Sequence, residues 1–118
     1  MYLEIDANGY NEGEGTYVSV YISLMRGEFD DQLQWPFRGN VTIHFLNQMP
    51  GAGDEPDYTD VLPFDDDTPW RYTSRVEGDE YPDDVYGFDM FCSHADLVPA
   101  YLRDDCLKIR IEVDTGTY

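Results

Sequence analysis

Basic residues are scarce in this 118-residue chain: 7 Lys and Arg stand against 25 Asp and Glu, for a formal net charge of −18. That balance argues against nucleic acid and anionic membrane surfaces as partners, because both are held chiefly through Lys and Arg. Basic partners are the compatible ones. Cysteine is nearly absent, with Cys92 and Cys106 alone. A lone pair without a secretion signal reads as reduced thiols, and neither has a metal-ligand partner at a recognisable spacing. We expect no metal and no cofactor. No apolar run approaches the roughly 18 residues of a membrane span, and the N-terminus lacks the basic and apolar regions of a signal peptide. A cytoplasmic protein with no membrane insertion is expected. Histidine is limited to His44 and His94. His44 falls on the outward face of a strand and His94 in the first turn of a helix, and no Ser or Cys sits in a nucleophile-type turn, so an enzyme is not expected.

What is present is a core. With 42% hydrophobic and 15% aromatic residues the chain folds despite its charge, and its length fits one domain over residues 1–118. The stretch from Thr16 to Gln48 organises it. Val18, Val20, Ile22 and Leu24 alternate with Tyr17, Ser19, Tyr21 and Ser23, the period-two pattern of a strand with one buried face. Arg26-Gly27 ends it. Phe29, Leu33 and the Trp35-Pro36-Phe37 segment form an aromatic connection that Pro36 keeps from becoming a helix. Trp35 and Phe37 are read as core filling. Alternation resumes at Val41, Ile43 and Phe45, with Thr42 and His44 outward.

Before this stretch, Leu3, Ile5 and Ala7 against Glu4 and Asp6 predict an opening strand. Asn8-Gly9, Gly13 and Gly15 then make a glycine-rich loop into Thr16. It is not a phosphate loop, because no helix or Lys follows and Glu12 and Glu14 repel an anion. After it, Met49 to Tyr86 reads as acidic loop and edge structure, with short strands around 60–64 and 70–76. The runs Asp54 to Asp60 and Asp65-Asp66-Asp67 lack the alternating ligands of an EF-hand. They are read as a solvated acidic face, with weak calcium binding as the alternative. A strand follows Gly87, with Phe88 and either Met90 or Phe91 inward. Ser93 with Asp96 predicts a capped short helix near 94–98, ended by Pro99. Leu107, Ile109, Ile111 and Val113 inward, with Lys108, Arg110 and Glu112 outward, predict the last strand. The fold class is therefore all-β, an antiparallel β-sandwich of about seven strands.

Together these residues resemble the C-terminal TRAF or MATH domain of the tumour-necrosis-factor-receptor-associated factors. Gly13-Glu14-Gly15-Thr16 with Val18-Ser19-Val20-Tyr21 is similar to the family's Gly-x-Gly-Thr-His-Leu-Ser-Leu segment, with Tyr17 in place of histidine. Met25-Arg26-Gly27-Glu28-Phe29-Asp30, Leu33, Trp35-Pro36-Phe37, Val41-Thr42 and Leu46-Asn47-Gln48 continue the likeness, and Arg103-Asp104-Asp105 is similar to its helix-to-strand junction. The family's first strand with its tryptophan, its coiled coil and its RING or zinc-finger regions have no counterpart in these residues.

The resemblance implies an eight-stranded sandwich that binds receptor-tail or adaptor peptides as an added edge strand, in an adaptor that is a homotrimer at full length. It also implies a peptide groove at Glu4, Asp6, Tyr10, Tyr21, Phe64, Trp70, Arg71, Tyr86, Gly87 and Phe88. Glu4 and Asp6 stand where many members carry arginine and tyrosine, and Tyr10 where the family has aspartate. Tyr21 and Phe64 keep the aromatic floor, Tyr86-Gly87-Phe88 keeps the rim, and Trp70-Arg71 replaces the serine cluster. With Glu4 and Asp6 at the acidic end of the usual Pro-x-Gln-x-x-acidic ligand, neutral or basic peptides are expected. Competing classes are a structural or subunit-contact sandwich, and a carbohydrate-binding or hydrolase sandwich. The resemblance further implies that the last strand, 107–113, lies at an edge that a family first strand would pair with, open to self-association.

Overall fold

The computed structural model describes residues 1–25, 27, 30–32, 35–50, 57–75, 85–98 and 100–115. Its strands are β1 Tyr2–Asp6, β2 Tyr17–Ser23, β3 Gly39–Phe45, β4 Tyr58–Phe64, β5 Tyr86–Ser93, β6 Leu102–Arg103, β7 Cys106–Leu107 and β8 Ile109–Asp114. Two one-turn helices join them, α1 Trp70–Thr73 and α2 His94–Leu97. One sheet has the order β1-β2-β5 and a second the order β4-β3-β8, while β6 and β7 form a separate hairpin. All pairings are antiparallel.

The two sheets meet through the apolar faces that the alternation marks. Val18, Val20 and Ile22 of β2, Val41, Ile43 and Phe45 of β3, Leu62 and Phe64 of β4, and Phe91 and Cys92 of β5 form one buried cluster. Phe45 and Phe91 cross the interlayer space with ring centroids 4.8 Å apart, and Tyr58 and Phe91 with 5.2 Å. The strand after Gly87 is bulged. Val20 pairs with Phe88 and Val18 with Cys92, so the ladder slips between them. The extra residues let Phe88 and Phe91 both turn inward while Met90 stays half-exposed, a redirection that a bulge supplies and alternation cannot.

Several expectations change. Segment 70–75, read as strand, contains α1: Tyr72 N–H bonds Pro69 O at 3.0 Å and Ser74 N–H bonds Trp70 O at 2.9 Å. Pro69 precedes the first helical residue, and local backbone bonds outcompete edge pairing there. The opening strand exists, but Leu3 is exposed, on a strand that pairs with β2 alone among the described residues. Val113 is likewise 49% exposed, although it pairs with the core residue Val41. The last strand is also interrupted at Lys108, where β7 leaves its hairpin with β6 and β8 joins β3. Arg103-Asp104-Asp105 is the turn of that hairpin, and Asp104 and Asp105 at φ 54 and 59 supply the paired left-handed residues of a type I′ turn.

Ser93 caps α2 as expected, its hydroxyl accepting the Asp96 N–H at 3.1 Å. Phe37 packs on Phe64 at 5.1 Å, consistent with core filling. His44 is more enclosed than a surface residue, its Nδ1 2.8 Å from Thr59 Oγ1 and its Nε2 3.2 Å from Glu112. In the acidic loop, Asp65 closes a turn by accepting the Asp67 N–H at 3.0 Å. Both Cys92 and Cys106 are free thiols. The calls on Arg26, Phe29, Leu33, Val76, Pro99 and residues 54–56 lie outside the described residues. No helix among the described residues is long and apolar enough to cross a membrane.

Candidate functional site

β2 is buried on both faces. Its inner face joins the core, and its other face, which alternation assigns to solvent, holds Ser19 and Tyr21 at 0% and 5% exposure. The glycine-rich loop covers them. Gly9, at φ 82, and the 3-10 turn Asn11–Gly13 fold the loop back over the sheet, and Gly13 sits so close that a Cβ there would lie 2.0 Å from Asp89 O. Ser19 Oγ accepts the Tyr10 N–H at 2.9 Å and donates to Asp89 O at 2.6 Å. The Tyr21 hydroxyl donates to the Asp89 carboxylate, and the Tyr10 ring meets Tyr21 edge-on at 6.5 Å. Burial, with that hydrogen bond second, pushes the Tyr21 hydroxyl up to about 12.

Five expected site residues gather on this outer face. Glu4 pairs with Tyr21 and Asp6 with Ser19 across β1 and β2, and Tyr21 pairs with Gly87 across β2 and β5. Directly paired residues share a face, so Glu4, Tyr21 and Gly87 form one row ending at β5, with Tyr10 above it. The remaining five lie elsewhere. Phe64 is fully buried and meets Tyr86 at 5.4 Å, so its ring supports the rim from beneath and is not a floor open to a ligand. Phe88, paired with Val20, turns into the core, where it meets Phe91 at 5.6 Å. The aromatic floor expected from Tyr21 and Phe64 is therefore divided between the outer face of one sheet and the buried face of the other, and Phe88 of the expected rim turns away from both Tyr21 and the outer face.

Tyr86, Trp70 and Arg71 define a second cluster at the start of β5. Tyr72, which the sequence reading passed over, stacks on Tyr86 with centroids 5.0 Å apart and planes 20° from parallel. The Arg71 guanidinium lies 4.5 Å over the Tyr72 ring and donates to its hydroxyl at 2.9 Å. Trp70 is 72% exposed. α1 is fastened below by the Phe37 N–H, which donates to Thr73 O at 2.7 Å. Arg71, Tyr72, Tyr86, Phe64 and Phe37 thus form a continuous stack from surface to core, beside a strand that pairs with β2 on one side only among the described residues. Tyr72, Ser19 and Asp89 are the residues missed. Polar spacing on β2 signals Ser19 alone, since the bulge in β5 hides the phase of Asp89 and Tyr72 lies on α1.

Two facing antiparallel sheets, with the second strand of one roofed by a glycine loop and its last strand paired on one side only among the described residues, define the class of β-sandwich. The MATH domain family matches residues 1–113, and the chain belongs to it. TNF receptor-associated factor 5 of Mus musculus is 34% identical over 110 residues, covering 91% of this chain and 18% of that protein. TNF receptor-associated factor 2 of Homo sapiens is 31% identical over 116 residues, covering 97% of this chain and 22% of that protein. The chain thus spans about a fifth of these relatives. The structure of Notothenia coriiceps TRAF5 superposes with a TM-score of 0.81 at 28% identity, covering 98% of this chain and 56% of that one.

Proposed function

We propose that this chain is a non-catalytic peptide-binding domain of a cytoplasmic signalling adaptor, taking an extended receptor-tail or adaptor segment as an added strand on the edge of β5 that no strand among the described residues occupies. The observation that carries the reading is that edge, flanked at its first residue by the Arg71, Tyr72 and Tyr86 stack. An edge strand offers backbone donors and acceptors to any extended chain. Selectivity comes from side chains beside it, here the Trp70 and Tyr72 rings and the outer-face row, in which Gly87 adds no side chain of its own. The relatives' names, receptor-associated factors, agree with such a ligand class.

The test is a titration of isotope-labelled protein with a panel of short extended peptides, alongside a glycan panel. Saturable shifts centred on the N–H groups of residues 86–93, lost on Tyr72→Ala, are expected. Binding to glycans alone, to nothing, or at a surface remote from β5 would replace this reading with the lectin or structural alternative.

A further inference from the structure

The two faces of β5 carry groups of opposite charge. Tyr86 pairs with Ile22, a member of the core cluster, whereas Gly87 pairs with Tyr21 on the outer face. Directly paired residues share a face, so the Tyr86 ring lies on the inner side, at the mouth between the sheets, with Tyr72 and then Arg71 stacked upon it. The Tyr72 ring and its hydroxyl hold the guanidinium in place, and among the described residues no carboxylate pairs with it. A guanidinium stacked by its face keeps its in-plane N–H groups for a carboxylate. Three residues along the strand from Tyr86, Asp89 presents its carboxylate on the outer face, where the Tyr21 hydroxyl donates to it. One such bond leaves acceptor sites open on the carboxylate.

We propose that the segment this edge selects carries a basic and an acidic residue three apart, in the order Lys-x-x-Glu. The inference rests on the strand addition proposed above and adds the charge pattern that the added strand must carry. A strand laid along β5 continues both faces of the sheet, and its side chains alternate between them. A ligand residue on the inner side approaches Arg71. One on the outer side extends over Gly87 toward Asp89, and Glu4, in the row of Tyr21, adds to the attraction for a long basic side chain there. Opposite faces demand an odd spacing, and the separation of Tyr86 and Asp89, roughly 10 Å along a strand, makes it three. Every strand pair among the described residues is antiparallel, and antiparallel pairing is the more stable per residue. Antiparallel addition puts the ligand residue beside Asp89 earlier in its own chain than the one beside Arg71. The basic residue therefore precedes the acidic one. Such a pair of charges is neutral in sum, so this selectivity is separate from the long-range field of the −18 net charge.

Three peptides of one composition, with Lys-x-x-Glu, Glu-x-x-Lys or Lys-x-Glu in the same neutral background, test this by calorimetric titration at fixed salt, with amide shifts read on labelled protein. Identical net charge cancels the field of the whole chain. Reversing the order turns two exposed pairs from attraction to repulsion, so Glu-x-x-Lys should bind about tenfold more weakly than Lys-x-x-Glu. Lys-x-Glu sets both charges on one face, keeps one pair, and should lose about threefold. Arg71→Glu makes both ends acidic, and the two orders should then bind within about twofold of each other. Asp89→Asn should reduce their difference to about threefold, with thermal melts confirming that each variant is folded. If all isomers shift residues 86–93 with equal affinity, the charge pattern is overturned while strand addition stands. A preference for Glu-x-x-Lys, or an order preference that survives Arg71→Glu intact, overturns it likewise. No shift on residues 86–93 with any peptide overturns this proposal together with strand addition at β5.

Discussion

Gly87 is confined by its neighbours: a Cβ there would stand 2.2 Å from Val20 O and 2.8 Å from Tyr21 Cα, both backbone atoms that cannot turn aside. Gly87→Ala must push β5 from β2, and we expect a loss of about 1–3 kcal/mol in urea unfolding; an unchanged midpoint would mean the strands separate freely. Titration sets a second expectation. Burial pushes Tyr21 up to about 12 from 10.0 and the Cys92 thiol up to about 11 from 9.0. The folded state therefore holds their protons more tightly than the unfolded chain does. The stability this represents is complete below pH 9.0 and is lost as pH rises, through about 11 for Cys92 and about 12 for Tyr21. Unfolding free energy should fall across that alkaline window, and the fall should be shallower in Tyr21→Phe between pH 10 and about 12; an equal slope in the variant would contradict the assignment. The same burial separates the thiols: at neutral pH a maleimide should label exposed Cys106 promptly and Cys92 only on unfolding.

Elements whose residues alternate cleanly were legible in the sequence, and those organised by neighbours were not. β2, β3 and β8 announce themselves because their inner faces meet one core. The second burial of β2 was hidden, since Ser19 and Tyr21 read as solvent-facing until the loop carrying Gly9 and Gly13 closes over them. α1 was hidden for the opposite reason. Its four residues, Trp70–Thr73, are too few for a helical period, and their aromatic content mimics a strand. At the site, alternation gives the outward side of Glu4, Asp6 and Tyr21 and the inward turn of Phe88, while the burial of Phe64 was not legible, because alignment to a family carries residue identity but not the face on which a strand presents it. The stack on α1 can be tested directly. Tyr72→Ala removes an aromatic pair worth about 0.5–1.5 kcal/mol and the platform under Arg71, and should cost that much in stability and about fivefold or more in peptide affinity at β5. Tyr72→Phe, which keeps the ring, should retain most of both.

Across the whole molecule we expect the net charge of −18 to favour a basic ligand for the proposed site, and the geometry decides which carboxylates would enforce that. Glu4 and Asp6 lie on β1, two strands from β5. With strands about 4.8 Å apart, a peptide backbone added at β5 runs roughly 14 Å from β1. That exceeds the screening length of about 8 Å at physiological salt. These residues therefore act only on a ligand side chain that reaches inward over Gly87, and the close carboxylate is Asp89, held on β5 by the Tyr21 hydroxyl. An acidic-motif peptide and its Lys-substituted version should differ by about tenfold at low salt in favour of Lys, converging to within about threefold at 0.5 M salt, because most of the preference is long-range. Asp89→Asn should remove more of the remaining high-salt difference than Glu4→Gln. Isothermal titration of both peptides against both variants measures this. Tighter binding of the acidic peptide at low salt would show that the local pairing chemistry at Arg71 outweighs the field of the whole chain.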